Sequence, residues 1–139
     1  MPCRLAASIL TVLILSAALA GTTAAATGPG KQRKGIVSAL NTLLGQDRSK
    51  VNYKRIRVTS VPDRTWAIAN VDAKPAFEAT FQSFVTVLVK VPDLQSQFRW
   101  VVADLGSAFV GCGVAPVPVL RDLTGTRRPC PPAAFAQRR

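Results

Sequence analysis

Histidine is absent from this chain of 139 residues, and only three cysteines, one tyrosine and seven acidic residues are present. The missing imidazole removes the most frequent general base and the commonest metal ligand of proteins. Neither a Cys–His nor a Ser–His–Asp arrangement can therefore be formed. The composition predicts no cofactor and no metal site, and it favours a protein that binds over one that catalyses.

The few carboxylates offer little else for catalysis. Asp104 ends a segment with strand periodicity, on the same side as Trp100 and Val102, so we expect it to face inward. A hydrogen bond to neighbouring backbone or to an arginine such as Arg121 explains it most simply. The alternative is an enzyme with a sparse site around Asp104 and Arg121, although a catalytic acid usually has a carboxylate partner and none is evident.

The N-terminus has the three parts of a cleavable signal peptide. Arg4 precedes an apolar run from Leu5 to about Leu19, and small residues follow at 18–20 and 24–26. We predict a signal peptide over residues 1–26, cleaved after Ala20 or Ala26, and a secreted, extracellular product. The apolar run falls short of the roughly 20 residues that span a bilayer, so no membrane span is expected after cleavage.

The charge of the exported chain is strongly positive. Loss of Arg4 with the signal leaves 17 basic and 7 acidic residues, a net charge of +10. Such a charge favours anionic partners, which outside the cell are an anionic envelope component or an acidic extracellular protein. Export argues against nucleic acid. A second interpretation is that the charge only keeps the protein soluble, because the basic residues are scattered.

The cysteines predict a disulfide. Cys3 leaves with the signal, and Cys112 and Cys130 remain as an even pair in an oxidising compartment. A redox pair would more typically have CxxC spacing.

Hydrophobic periodicity predicts one α+β domain over residues 35–130, between a flexible basic segment at 27–34 and a frayed tail at 131–139. A helix is expected at about 33–44 and strands at 54–61, 65–71, 81–91 and 97–105, followed by a short helix at 119–123. The N-terminal helix should pack on a curved four-stranded antiparallel sheet, with both helices on one face. The disulfide should tie the short C-terminal helix to the sheet.

A basic and aromatic set is the candidate binding face. It comprises Arg55, Arg57, Trp66, Arg99 and Trp100. Exposed aromatics beside arginines would suit a nucleic-acid or carbohydrate ligand. Both tryptophans are spaced as strand residues, so packing in the core or on the sheet is the simpler interpretation.

The C-terminal part of the domain also carries a resemblance. The segment Trp100–Ser107, the Gly111-Cys112 pair, the run 117–123 and Cys130 together resemble small secreted proteins of unknown function from Gram-positive bacteria with GC-rich genomes. An R-V-x-x-V…W-A strand pair, here 57–61 and 66–67, belongs to the same pattern. The order of helix and sheet is similar to cystatin-like folds, without the Gln-x-Val-x-Gly hairpin of the inhibitors. The resemblance implies no activity.

Three functions follow as hypotheses. The first is a non-catalytic, monomeric binding module at the cell envelope. The second is a secreted inhibitor of an extracellular enzyme, for which the loop 111–118 is the best candidate contact. The third is the sparse-site enzyme at Asp104 and Arg121.

Overall fold

The computed structural model describes residues 26–95 and 97–132. Residues 1–25 of the signal peptide predicted over 1–26, and residues 133–139 of the predicted tail, lie outside the described residues. The elements, in chain order, are α1 (Arg33–Leu44), β1 (Val51–Val61), β2 (Arg64–Ala73), β3 (Phe84–Pro92), β4 (Phe98–Gly106) and α2 (Val117–Thr124). Short 3-10 turns occupy Gly30–Gln32, Gly45–Lys50 and Pro75–Phe77.

The four strands form one antiparallel sheet in the order β1-β2-β3-β4. Four antiparallel strands in one sheet and two helices are what the sequence predicts. Strand side chains alternate between the faces, so β2 and β3 each present apolar residues on both sides. One buried cluster contains Ala67, Ala69 and Leu88, and a second contains Trp66, Ile68, Val87 and Val89. The sheet therefore has a core on each face.

The two helices cover opposite faces, and the expectation that they share one face is wrong. Ile36 and Leu40 of α1 belong to the first cluster, whereas Leu120 and Leu123 of α2 belong to the second. We call the first cluster the α1-side core and the second the α2-side core. The physical reason is the apolar alternation of β2 and β3. A sheet that is apolar on both sides needs cover on both, and α1 supplies only one layer.

A glycine within α1 permits its close approach to the sheet. A Cβ on Gly35 would lie 2.8 Å from Cδ1 of Trp100, so the indole occupies the space that a side chain would need. The helix ends at Leu44 and is followed by Gly45, whose φ of 55° is a backbone conformation that favours glycine. Helix α1 thus lies directly against β4.

The segment predicted to be flexible, 27–34, makes regular contacts in part. Thr27 forms two backbone hydrogen bonds of 2.8 Å with Val58, on the outer edge of β1. Ala26 packs against the α2-side core, and the Gln32 side chain accepts a hydrogen bond from Lys90. The residues just before α1 therefore cover part of one sheet edge, which protects that edge from pairing with another chain.

The disulfide predicted between Cys112 and Cys130 is present, with a Cα–Cα distance of 5.7 Å. Cys112 is buried in the α2-side core, beside Val119 and Leu120. Helix α2 ends at Thr124 and is capped by Gly125, which has φ 71° and donates its N–H to the Arg121 carbonyl. The disulfide thus ties the segment that follows α2 back to the chain that leaves β4.

Tyr53 connects β1 to α1, and its hydroxyl donates a hydrogen bond to Asn41 Oδ1 at 2.6 Å. Burial raises the pKa of the Tyr53 phenol above its ordinary value of 10.0, and the nearby Arg48 charge partly opposes this effect. The unfolded chain therefore loses the phenolic proton first. The contribution of the Tyr53 phenol to the free energy of unfolding is complete below about pH 10 and is lost as the pH rises through the folded-state pKa of Tyr53.

We expect the absorbance of tyrosinate to rise at a higher pH in the folded protein than in urea. Tyr53 is the chain's single tyrosine, so this titration has no other contributor. The variant Tyr53→Phe should lose this part of the alkaline decline in the free energy of unfolding. Coincident titrations in the folded and unfolded protein would contradict the prediction.

Candidate functional site

The five residues of the predicted binding face do not form one surface. Trp66 and Trp100 are 3% and 8% exposed, and they lie in the two different cores. Arg99 is exposed on β4 beside α1, whereas Arg55 and Arg57 line a groove on the α2 face. The tryptophans are therefore packing residues, and only the two β1 arginines share a site.

We call that site the basic groove, a concavity of about 560 Å³ between the sheet and the end of α2. Its volume falls within the range of small-molecule sites. Its walls are contributed by β1, β2, β3, the loop after β4 and the segment after α2. The lining residues are Arg55, Arg57, Ile68, Asn70, Val85, Ser107, Ala108, Phe109, Val110, Leu123, Thr124, Thr126, Arg128 and Pro129.

Arg57 is held in place by the end of α2. Its Nη1 donates a 2.9 Å hydrogen bond to the carbonyl of Leu123, one of the last carbonyls of the helix. A cation at this position is favoured because the C-terminus of a helix is the negative end of its dipole. Gly125 lies beside it, and a Cβ there would be in ordinary contact with the same nitrogen at 3.6 Å. The guanidinium is thus positioned before any ligand arrives.

Arg55 occupies a β-bulge. The register of β1 shifts between Lys54, opposite Asn70, and Arg57, opposite Ile68, so two residues of β1 face one of β2. Arg55 has φ 48° within this bulge. Bulges of this kind usually have glycine at the left-handed position, because a side chain there is strained. Here the strained position carries an exposed arginine that faces the groove.

The groove is cationic and has no acidic lining residue. Three arginines line it, at 55, 57 and 128, and none of its lining residues is acidic. In the described part of the chain the two ion pairs join Lys50 to Asp47 and Lys54 to Asp72. These arginines therefore remain unneutralised by a carboxylate of the described chain, and guanidinium groups bind oxyanions through paired N–H donors.

Asp104 holds the loop that forms one wall of the groove. A bulge in β4 places it opposite Val87, so it lies on the α2 face rather than on the side of Trp100 and Val102 as expected. The carboxylate accepts hydrogen bonds from the N–H groups of Leu105 at 3.0 Å and Gly111 at 2.7 Å. Bonding to neighbouring backbone is the simpler of the two roles considered for it.

Arg121, its proposed partner in a sparse-site enzyme, is an exposed residue of α2. Neither Arg121 nor Asp104 lines the basic groove or the groove beside α1. Neither of these two grooves therefore brings the proposed pair together. The hypothesis of an inhibitor rests on the loop 111–118, where Val114 and Val117 are exposed beside the disulfide.

A second groove, of about 590 Å³, runs between α1 and β4. Leu43, Phe98 and Val101 are its exposed apolar residues, and Arg99 is its one charged residue. It lies beside α1, whereas the basic groove lies at the end of α2. Arg99 of the predicted binding face therefore belongs to a different and mainly apolar surface.

Sequence reasoning missed Phe109 and Arg128 as groove residues. Phe109 is 57% exposed and has φ 52°. No local pattern signals a phenylalanine in this conformation, because the usual signal is a glycine. Arg128 lines the groove from the segment between α2 and Cys130, and the disulfide to Cys112 fixes the end of that segment.

Over residues 26–95 and 97–132, no helix is long and apolar enough to cross a membrane. The same residues include no group of three or more cysteine and acidic side chains able to hold a metal ion. No family model, curated protein or solved structure matches the sequence. The resemblance to small secreted bacterial proteins stays a prediction.

Proposed function

We propose that this chain is a small secreted binding module, non-catalytic, which holds an oxyanion of an envelope component in the basic groove. The observation that carries the proposal is the groove itself, with three arginines and no acidic lining residue. The disulfide supports the extracellular part, because such bonds persist in oxidising compartments. The net charge of the chain favours the approach of an anionic partner.

Two features of the groove support binding over a structural role for its charge. Arg57 is fixed by the Leu123 carbonyl, so its remaining N–H groups are oriented before binding. Arg55 is kept in a strained backbone conformation where glycine would be the stable choice. An arginine at a position that suits glycine indicates a use for its side chain.

The test is a titration of the chain, purified with its disulfide formed, with inorganic phosphate while backbone amide resonances are followed by NMR. We expect saturable shifts confined to the groove, at 55–57, 107–110 and 124–129. The affinity should fall as ionic strength rises, because the attraction is electrostatic. Absence of saturable shifts, or shifts spread over all exposed arginines, would overturn the proposal.

The variant Arg55→Gly should bind phosphate about tenfold more weakly, the loss expected for one charge-assisted hydrogen bond. The same variant should be more stable by about 0.5–1 kcal/mol, since relief of the left-handed strain exceeds the added freedom of the unfolded chain. Urea unfolding measures the second effect.

The matched control is Arg121→Gly, which removes the same charge from an exposed position outside the groove. It should leave phosphate affinity within about twofold and should lower stability by about 1 kcal/mol, because glycine is unfavourable within a helix. Equal losses of affinity in the two variants would mean that only net charge matters.

A further inference from the structure

The basic groove has an apolar part that binding of a bare oxyanion does not use. Ile68, Val85, Val110 and Leu123 line this part, and so does Phe109, which is 57% exposed. An exposed phenylalanine has no favourable contact with water. Binding of an oxyanion by the arginines therefore does not explain this apolar part of the groove.

Phe109 is also strained. The described chain has two non-glycine residues with positive φ, Phe109 at 52° and Arg55 at 48°, and both line this groove. Such conformations cost free energy, and where they cluster at one concavity they point to a site. One of the two residues presents a charge and the other presents an apolar ring.

The arginines of β1 and the loop that carries Phe109 lie on opposite sides of the groove. Arg55 and Arg57 are on β1, Val85 is on β3, and the loop 107–110 follows β4 beyond it. Two strand spacings separate β1 from β3, which is about 10 Å. Arg128 lines the groove from the segment that runs from α2 to Cys130, which is bonded to Cys112.

We infer that the basic groove takes a small amphiphilic phosphate ester, with the phosphate at Arg55 and Arg57 and its alkyl chain along Val85 towards Phe109. The inference rests on the proposed function and names the ligand class of that same site. Charge complementarity fixes the head group, because no acidic residue lines the groove. The ligand is a single lipid-like molecule, and free phosphate and an extended acidic polymer are the competing occupants.

The experiment measures dissociation constants for methyl, butyl and octyl phosphate, each below its micelle concentration, by NMR titration of the chain with its disulfide formed. Each methylene taken from water should strengthen binding at least about twofold, so octyl phosphate should bind at least about tenfold more tightly than butyl phosphate. The added shifts should appear at 85 and 107–110.

Two variants separate the contribution of the phosphate head group to binding from that of the alkyl chain. Phe109→Asn replaces the ring with a residue that tolerates positive φ, so the fold should be retained, and it should reduce the gain from butyl to octyl phosphate to about threefold or less. It should leave methyl phosphate binding unchanged. Arg55→Gly should weaken all three esters by a similar factor. The control Leu94→Asn removes an exposed apolar side chain outside the groove and should change neither quantity.

The outcomes are distinguishable. If methyl and octyl phosphate bind equally in the groove, the oxyanion function stands and the amphiphile inference is wrong. If no ester binds, both fall. If octyl phosphate binds more tightly but shifts the amide resonances of the groove beside α1, the alkyl chain is held elsewhere and the inference is overturned. The inference is also overturned if Phe109→Asn leaves the gain from butyl to octyl phosphate unaffected. Tight binding of polyphosphate without any chain-length effect would favour the acidic polymer.

Discussion

Replacing both Cys112 and Cys130 with alanine should lower the free energy of unfolding by about 3 kcal/mol. The two cysteines are 18 residues apart, and the loss corresponds to the loop-closure entropy that the disulfide removes from the unfolded chain. Small domains have only about 5–15 kcal/mol of stability in total, so this is a large share. The shift in the urea midpoint measures it.

The control is the unaltered protein in excess dithiothreitol, which should unfold within about 1 kcal/mol of the double variant because both lack the cross-link. Cys112 is buried in the α2-side core, so part of any remaining difference reflects the lost sulfur contacts. A loss of less than about 1 kcal/mol in both cases would mean that the unfolded chain is already compact around these residues.

The same double variant should also bind phosphate more weakly. The disulfide holds the segment that carries Arg128 and Pro129 against the groove, and those residues form the wall that returns from α2. Without the cross-link this segment must be ordered on binding, and the ordering costs free energy. Stability and binding are therefore coupled through one bond.

The order of elements could be predicted from sequence because periodicity reports which residues share a side of a strand or helix. Val85, Val87 and Val89 alternate with Thr86 and Leu88, and that pattern alone indicates a strand covered on both sides. The pattern does not say which helix covers which side. That depends on the connections, here the turn before β1 and the loop after β4.

The sequence predicts Arg55, Arg57 and the disulfide, but the rest of the candidate site could not be predicted because it depends on two bulges and on the path of the segment after α2. The bulge at Arg55 has no glycine to signal it, and the bulge that places Asp104 opposite Val87 reverses the side predicted from simple alternation. A shift of one residue moves a side chain to the other face. Arg128 is 71 residues further along the chain than Arg57, and only tertiary structure brings them to one groove.

Gly111→Ala should lower the free energy of unfolding by about 3 kcal/mol, for two reasons that add. Gly111 has φ 89°, which costs an alanine about 1 kcal/mol. A Cβ there would also lie 2.6 Å from Cδ2 of Leu120 and 3.0 Å from Cγ2 of Val87, and both residues are fully buried in the α2-side core. Overpacking of a filled core typically costs about 1–3 kcal/mol. Urea unfolding measures the sum.

Gly125→Ala is the matched control, because Gly125 has φ 71° and its Cβ would meet only Arg57 at an ordinary 3.6 Å. It should lose about 1 kcal/mol, the conformational part alone. Equal losses at the two glycines would show that the core yields to the added methyl group. The comparison also bears on the site, because the Gly111 N–H binds Asp104 and anchors the loop that presents Phe109. Gly111→Ala should therefore weaken octyl phosphate binding more than methyl phosphate binding, whereas Gly125→Ala, which lies beside Arg57, should affect the two esters alike.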